Sequence, residues 1–239
     1  MTFLRTWVPA CLVAWLAGAM PAGAAPPPPA TPPSYKPYAD EARNILYNQM
    51  FGDDPALFDT LPGKEPTRQQ LVLTAVPPDP RALKPIAEDA RQDMRVRVLA
   101  WRRMQSGGHA VPARQLLGVV VEVARPAGLD ALAAYRGGTA RLLTPGPRIY
   151  TVENDPDVNL LVSRLMGAAD PLAAALPAPA GPVRAAPPAA GQVRLTFLLA
   201  DGVRIREGTF KALQQEAGAG PVLERSLALL RALVTQTAR

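Results

Sequence analysis

The chain has 239 residues, of which 48% are hydrophobic and 19% charged, the balance of a globular protein long enough to bury a core without staples. Its formal charge is +6, and Arg supplies 22 of the 26 basic residues. These are scattered, with Arg102-Arg103 the one adjacent pair, so the pattern reads as the habit of a GC-rich genome and argues against a nucleic-acid footprint. The only cysteine, Cys11, leaves no intrachain disulfide or thiolate metal site to consider.

Residues 1–24 read as a cleavable export signal. Arg5 forms the positive start, and an uncharged apolar run follows from Trp7 to Met20. Pro21 breaks that run, and Ala22-Gly23-Ala24 places small residues where a signal peptidase reads them, so cleavage is expected after Ala24. Cys11 raises a lipoprotein alternative, but most of the apolar run follows it, whereas a lipobox needs that run before it. Loss of the signal removes Arg5 alone and leaves a charge of +5 (+6 minus 1) on a cysteine-free chain suited to the periplasm. Localisation is therefore expected to be periplasmic or secreted.

Residues 25–37 are a Pro-rich linker, expected to be an extended polyproline spacer. Residues 38–108 are expected to be a helical N-terminal segment. Its first helix runs over 38–51, with Ala42, Ile45, Leu46 and Met50 near helical spacing and Gly52 as the stop. Asp54-Pro55 starts a short helix through Phe58. Residues 70–76 are either helix or strand. Asp79-Pro80 opens a helix interrupted near Pro85. Residues 94–104 are helical by one reading, although Arg95, Arg97 alternating with Val96, Val98 leaves a strand open.

Residues 109–239 are expected to form an α+β domain. Val and Leu make 115–124 a strand. Residues 130–136 and 139–143 flank the hairpin signal Gly137-Gly138, and 148–152 is a further strand. Asn154 or Asp155 caps a helix with Pro156 at its first position, buried through Val158, Leu161, Val162 and Leu165 and ended by Gly167. Residues 176–190 are a Pro/Ala-rich loop. Residues 193–199 and 203–206 are strands joined by Asp201-Gly202. The last helix begins near Pro221, with Leu223, Leu227, Leu230 and Val234 on one face. Short turns demand antiparallel neighbours. The expected fold is an antiparallel sheet of about five or six strands, with helices packed on one face and the N-terminal helical segment before it.

Three stretches, NILYNQMFGDDPALF (44–58), PARQLLGVVVEVARPAGLDALAAYRGGTARLL (112–143) and GQVRLTFLLADGVRIREGTFKAL (191–213), resemble a family of uncharacterised exported bacterial proteins of unknown function. The resemblance implies one shared architecture and export, and no activity. After the GG hairpin this chain has Leu142-Leu143-Thr144-Pro145-Gly146 where the relatives are more polar and aromatic.

Few residues invite chemistry. His109 is the only histidine, with no HxxxH, HExxH or GxSxG to complete a site. It reads as a surface loop residue, with a general base as the alternative. Glu122 lies in Val119-Val120-Val121-Glu122-Val123, on the strand face of Val120 and Ala124. It either meets water or an arginine such as Arg136 or Arg141, or is buried with a raised pKa, in which case it is a site candidate. Glu153, Asp155 and Asp157 alternate as calcium ligands do, but lack the glycine and distal Glu of a calcium loop, so helix capping explains them. Asn44, Tyr47 and Asn48, near Tyr35 and Tyr38, form either a binding face or the hydrogen bonds that dock the first helix. Gly218-Ala219-Gly220 reads as a turn.

No catalytic, cofactor-binding or metal residue is assigned, and no cofactor is expected. The reading is a non-enzymatic protein-interaction or structural protein of the cell envelope. It is expected to have an envelope or periplasmic protein partner, no nucleic acid, and no stable membrane insertion after signal cleavage. The rival is a small hydrolase or ligand-binding protein with a pocket between the sheet and the N-terminal helices. Polyanion binding at the envelope is a third idea.

Overall fold

The structure is a computed structural model and describes residues 33–58, 64–178 and 184–236. The proposed signal and most of the linker lie outside the described residues. Helices and strands follow in the order α1 (Glu41–Gln49), α2 (Arg68–Thr74), α3 (Pro80–Glu88), α4 (Met94–Ser106), β1 (Leu116–Arg125), β2 (Gly128–Tyr135), β3 (Ala140–Leu143), β4 (Ile149–Val152), α5 (Pro156–Ala175), β5 (Gln192–Leu199), β6 (Gly202–Thr209), α6 (Phe210–Gln215) and α7 (Ala219–Gln236). A 3-10 turn, Pro55–Phe58, follows α1. The α+β class holds: the strands make one antiparallel sheet in the order β4-β3-β2-β1-β5-β6.

Side chains alternate across the strands, so one sheet carries two cores. On one face Val119, Val121, Leu132, Leu195 and Phe197 pack against α5, α6 and α7. This is the expected helical layer. On the other face Leu117, Val120, Ala131, Tyr135 and Leu198 pack against α1 and α4. The N-terminal helices thus form a second layer over the opposite face. β1 is a long Val-rich run because it is buried on both sides.

Turn chemistry follows the local residues. Gly137 and Gly138 both adopt positive φ, +116° and +96°. A Cβ on Gly138 would stand 1.8 Å from the Asn159 side chain, so close approach of α5 requires glycine there as well. Asp155 is the N-cap of α5 and accepts from Val158 N at 2.9 Å, as the capping reading expects.

Four elements depart from the sequence expectation. α3 runs through Pro85 because Leu83 and Ala87, on either side of it, are both fully buried. α5 passes Gly167 and reaches Ala175 because Met166, Ala169 and Ala173 continue its buried stripe. Residues 210–215 form a helix that periodicity did not reveal, capped by Thr209, which accepts from Ala212 N at 3.3 Å. In α7 Leu223 is buried as expected and Leu230 packs on the core, but the buried face is centred further round, on Val222, Ser226, Leu229 and Leu233. Val234 is exposed.

Candidate functional site

The most concentrated polar chemistry lies under the N-terminal helices. Register sets Glu122 of β1 opposite Arg194 of β5, and Arg194 opposite Glu207 of β6. Residues directly opposite share a sheet face, so acid, base and acid form one cross-strand row. Arg194 donates to Glu207 from Nε at 2.7 Å and holds it from Nη2 at 2.6 Å. Its Nη1 donates to the carbonyl oxygens of Ala185 and Ala186 and stands 4.0 Å from Glu122 Oε2.

Glu122 is 1% exposed, and its hydrogen-bond donor comes from α1: the Tyr47 hydroxyl donates to Oε1 at 2.6 Å. Burial pushes the Glu122 carboxyl above its ordinary range, against the opposing pull of the Tyr47 bond and the Arg194 charge. Burial and the neighbouring Glu122 push Tyr47 far above the usual phenol range. The sequence placed Glu122 correctly on the Val120 face. Its suggested ion-pair partners were wrong: Arg136 pairs with Asp170 at 3.1 Å and Arg141 with Glu153 at 3.7 Å. Both belong to the β2–β3 end of the sheet, across β1 from β5, the strand that supplies Arg194.

α1 buries polar residues where an apolar stripe was expected. Ile45 is exposed, and Asn44, Tyr47 and Asn48 are buried. The reason is the end of the Pro-rich linker, which docks along this helix as an extended segment. Asn44 accepts from Tyr38 N and donates to Tyr38 O, both at 2.9 Å. Asn48 accepts from Tyr35 N at 3.0 Å and donates to Tyr35 O at 2.7 Å. Two amides one helical turn apart thus act as a short strand edge for the incoming chain. Of the three residues expected to dock this helix on the sheet, Tyr47 does so through Glu122, whereas Asn44 and Asn48 bond the incoming chain instead.

Arg184, from the Pro/Ala-rich loop, completes this layer. Its Nη2 donates to Asn48 Oδ1 at 2.9 Å and Pro33 O at 3.0 Å, and its Nε donates to Asp53 Oδ2 at 3.0 Å. Its guanidinium lies over the Phe51 ring, 4.3 Å from the centroid. Residues 184–186 of that loop are therefore tied down by Arg184 and Arg194. Sequence reasoning missed Arg184, because an arginine inside a proline-rich stretch carries no local signal of burial.

The other candidates separate. His109 follows α4 in a half-buried loop position, its backbone N–H donating to Met104 O at 3.0 Å. No contact brings it to Glu122 among the described residues. Among those residues there is also no group of three or more His, Cys, Asp or Glu suited to a metal ion. Gly220 starts α7 close against α6, where a Cβ would stand 2.6 Å from Gln214 O. An apolar cleft opens on the opposite sheet face, between Val121, Leu132 and Leu142 and Leu223, Leu227 and Leu230 of α7. Asp130 lines it and pairs with Arg125 at 2.7 Å. No helix among the described residues is long and apolar enough to cross a membrane. Compared with known protein families, curated proteins and solved structures, the chain matches none.

Proposed function

We propose that this chain is an exported, non-enzymatic interaction protein that receives an extended segment of an envelope protein along the free edge of β6. Export rests on Arg5, the apolar run after it and Ala22-Gly23-Ala24, and the family resemblance points the same way. The single observation that carries the interaction reading is the edge itself. Both sheet faces are covered by helices, whereas among the described residues β6 has β5 as its only strand neighbour. Residues 205–208 are half-buried and Thr209 is exposed, as expected of a strand paired on one side. Counting from the two-residue turn Ala200-Asp201, the backbone groups of Val203, Ile205 and Glu207 point away from β5. Val203 O accordingly accepts from Arg204 Nη1 at 2.9 Å. Such groups are the template for strand addition.

The occupant is a different chain rather than a second copy. Antiparallel self-pairing centred on Ile205 sets Arg204 opposite Arg206, and like charges directly opposite are unfavourable. Arg204 pairs with Asp201 at 3.3 Å and Arg206 with Glu216, so a partner strand with acidic residues at alternate positions replaces local carboxylates at these two arginines. The interaction reading is preferred to the hydrolase one because the Glu122 carboxylate is closed to solvent and touched by Tyr47 and Arg194.

Ile205→Pro tests this reading. It deletes an outward N–H and leaves the β5 ladder intact. The wild type is expected to capture an acidic, alternating envelope segment in periplasmic crosslinking, and the proline variant is expected to fold and lose that product. An unchanged crosslinking pattern in a folded Ile205→Pro protein contradicts the edge as the docking site. N-terminal sequencing of the native product tests export, with Ala25 expected first.

A further inference from the structure

Asp53 lies just beyond α1, and two arginines reach the same carboxylate oxygen. Arg184 Nε is 3.0 Å from Oδ2, and Arg102 Nη1, from α4, is 3.6 Å from it. The group is closed off: the side chains of Arg184 and Asp53 are 3% and 4% exposed, and that of Arg102 is 13% exposed. Its position is fixed by Gly52, which holds φ at +55° where a Cβ would come within 2.6 Å of Arg95 O. Phe51 supports the Arg184 guanidinium from one side.

The charges do not balance. Two guanidinium groups share one carboxylate at contact distance; the next acid, Glu122, lies beyond Tyr47 and feels Arg184 only through space. Burial pushes the Arg102 pKa down; the Asp53 carboxylate opposes that shift, and the neighbouring Arg184 adds to it. The hydrogen bonds do not balance either. Among the described residues, Arg102 Nε and Nη2 and Arg184 Nη1 are buried donors without a partner, and Asp53 Oδ1 is a buried acceptor without one. Buried polar groups in folded proteins are rarely left so. The four atoms belong to three side chains that converge on one oxygen.

We infer that this cluster is a binding site for an oxyanion of the inorganic phosphate class. An anion supplies the missing negative charge. Its oxygens accept from Arg102 and Arg184, in the charge-assisted geometry that guanidinium offers phosphate. The unpartnered Asp53 oxygen adds selectivity. It repels a fully deprotonated anion and accepts from one that carries an O–H. Inorganic phosphate near neutral pH carries an O–H in both of its main forms, whereas sulfate carries none. The site thus discriminates between two anions of similar size by a single proton. The inference is independent of the β6 edge, which involves none of these residues.

Titration calorimetry and thermal unfolding of the full mature chain test it, with phosphate, methyl phosphate, sulfate and chloride at matched ionic strength. Phosphate is expected to bind and to raise the unfolding temperature, with sulfate at least tenfold weaker and chloride without effect. Methyl phosphate, a dianion without an O–H above its second pKa, separates the sources. Weak binding near pH 8 assigns the site to the free ion, and binding as tight as that of phosphate overturns the role of the proton. Arg102→Gln is expected to weaken phosphate tenfold or more while its ion-free unfolding temperature stays near wild type. Asp53→Asn is expected to bring the phosphate-to-sulfate ratio close to one. Wild-type protein that binds neither ion, or both equally, overturns the inference without recourse to any variant.

Discussion

The two faces of the sheet are built from the same strands and held by different physics. In β1, Val121 and Val123 point to one side and Glu122 to the other; in β5, Val193 and Leu195 flank Arg194 in the same way. The face under α5 and α7 is an apolar core of aliphatic residues with Phe197 and Tyr150, closed mainly by packing. The face under α1 and α4 has an apolar core as well, but charges and hydroxyls cross it: Glu122, Arg194, Tyr47, Tyr135, Arg184 and Asp53. Apolar packing sets a strong attraction with little directional preference. A hydroxyl meeting one carboxylate at 2.6 Å has a single register. The helices that precede the sheet in sequence are therefore positioned by directional bonds, and those that follow its strands by packing.

The largest expected effect falls on the aliphatic side. Phe197→Ala removes a fully buried ring and is expected to cost about 3–5 kcal/mol in chemical denaturation at any pH from 5 to 8. Arg194→Met sharpens the contrast. It leaves two carboxylates, Glu122 and Glu207, without the cation between them, and is expected to cost about 3 kcal/mol at pH 7. Unlike the Phe197 loss, this one shrinks as pH falls, because Glu122 takes up a proton more readily when its cation is gone. Equal pH dependence of the two variants would break the comparison.

Tyr47→Phe comes next, at about 1–2 kcal/mol near pH 7, since it strips the donor from a buried carboxyl. Its signature lies at high pH. Tyr38, Tyr47 and Tyr135 have folded pKa values raised first by burial. Their unfolded forms ionise near 10, so the unfolded state releases protons first. Stability is then whole below pH 10 and is lost as pH rises above it, by about 1.4 kcal/mol per pH unit for each tyrosine. Tyr47→Phe is expected to flatten that decline by roughly a third, read by alkaline denaturation. All three tyrosines belong to the N-terminal side of the sheet.

Much of the framework was legible because its signals are local. The Gly137-Gly138 turn, the Val-rich β1 and the Asp155-Pro156 helix start each follow from a few adjacent residues. The Glu122 face followed from simple alternation. What failed was whatever depends on a distant partner. Tyr47 lies 75 residues from Glu122, and nothing between them announces the bond. The face of α1 was only partly read: Met50 is buried and Leu46 packs on the core, but Ile45 is exposed, and Asn44 and Asn48 are buried for their amides, which hydropathy counts against burial. Gly167 looked like a stop because propensity weighs one residue, whereas the buried stripe of α5 weighs its whole length.

The smallest effect is expected at a site neutral to the contrast. Asp155→Ala removes the α5 cap and is expected to cost about 1 kcal/mol, without the alkaline signature of Tyr47→Phe.

A carbon-13 NMR titration of the Glu122 side-chain carboxyl, in the intact folded protein, reads the polar side of the sheet directly. The account predicts a midpoint above the ordinary glutamate value of 4.5, moving in step when Tyr47→Phe removes the bond that opposes the shift. The same raised pKa means that Glu122 favours the folded state most at acid pH, and that this contribution fades as pH rises through the folded midpoint. A midpoint at or below 4.5, unchanged by Tyr47→Phe, would mean a solvated carboxylate and would contradict the buried row on which this face is built.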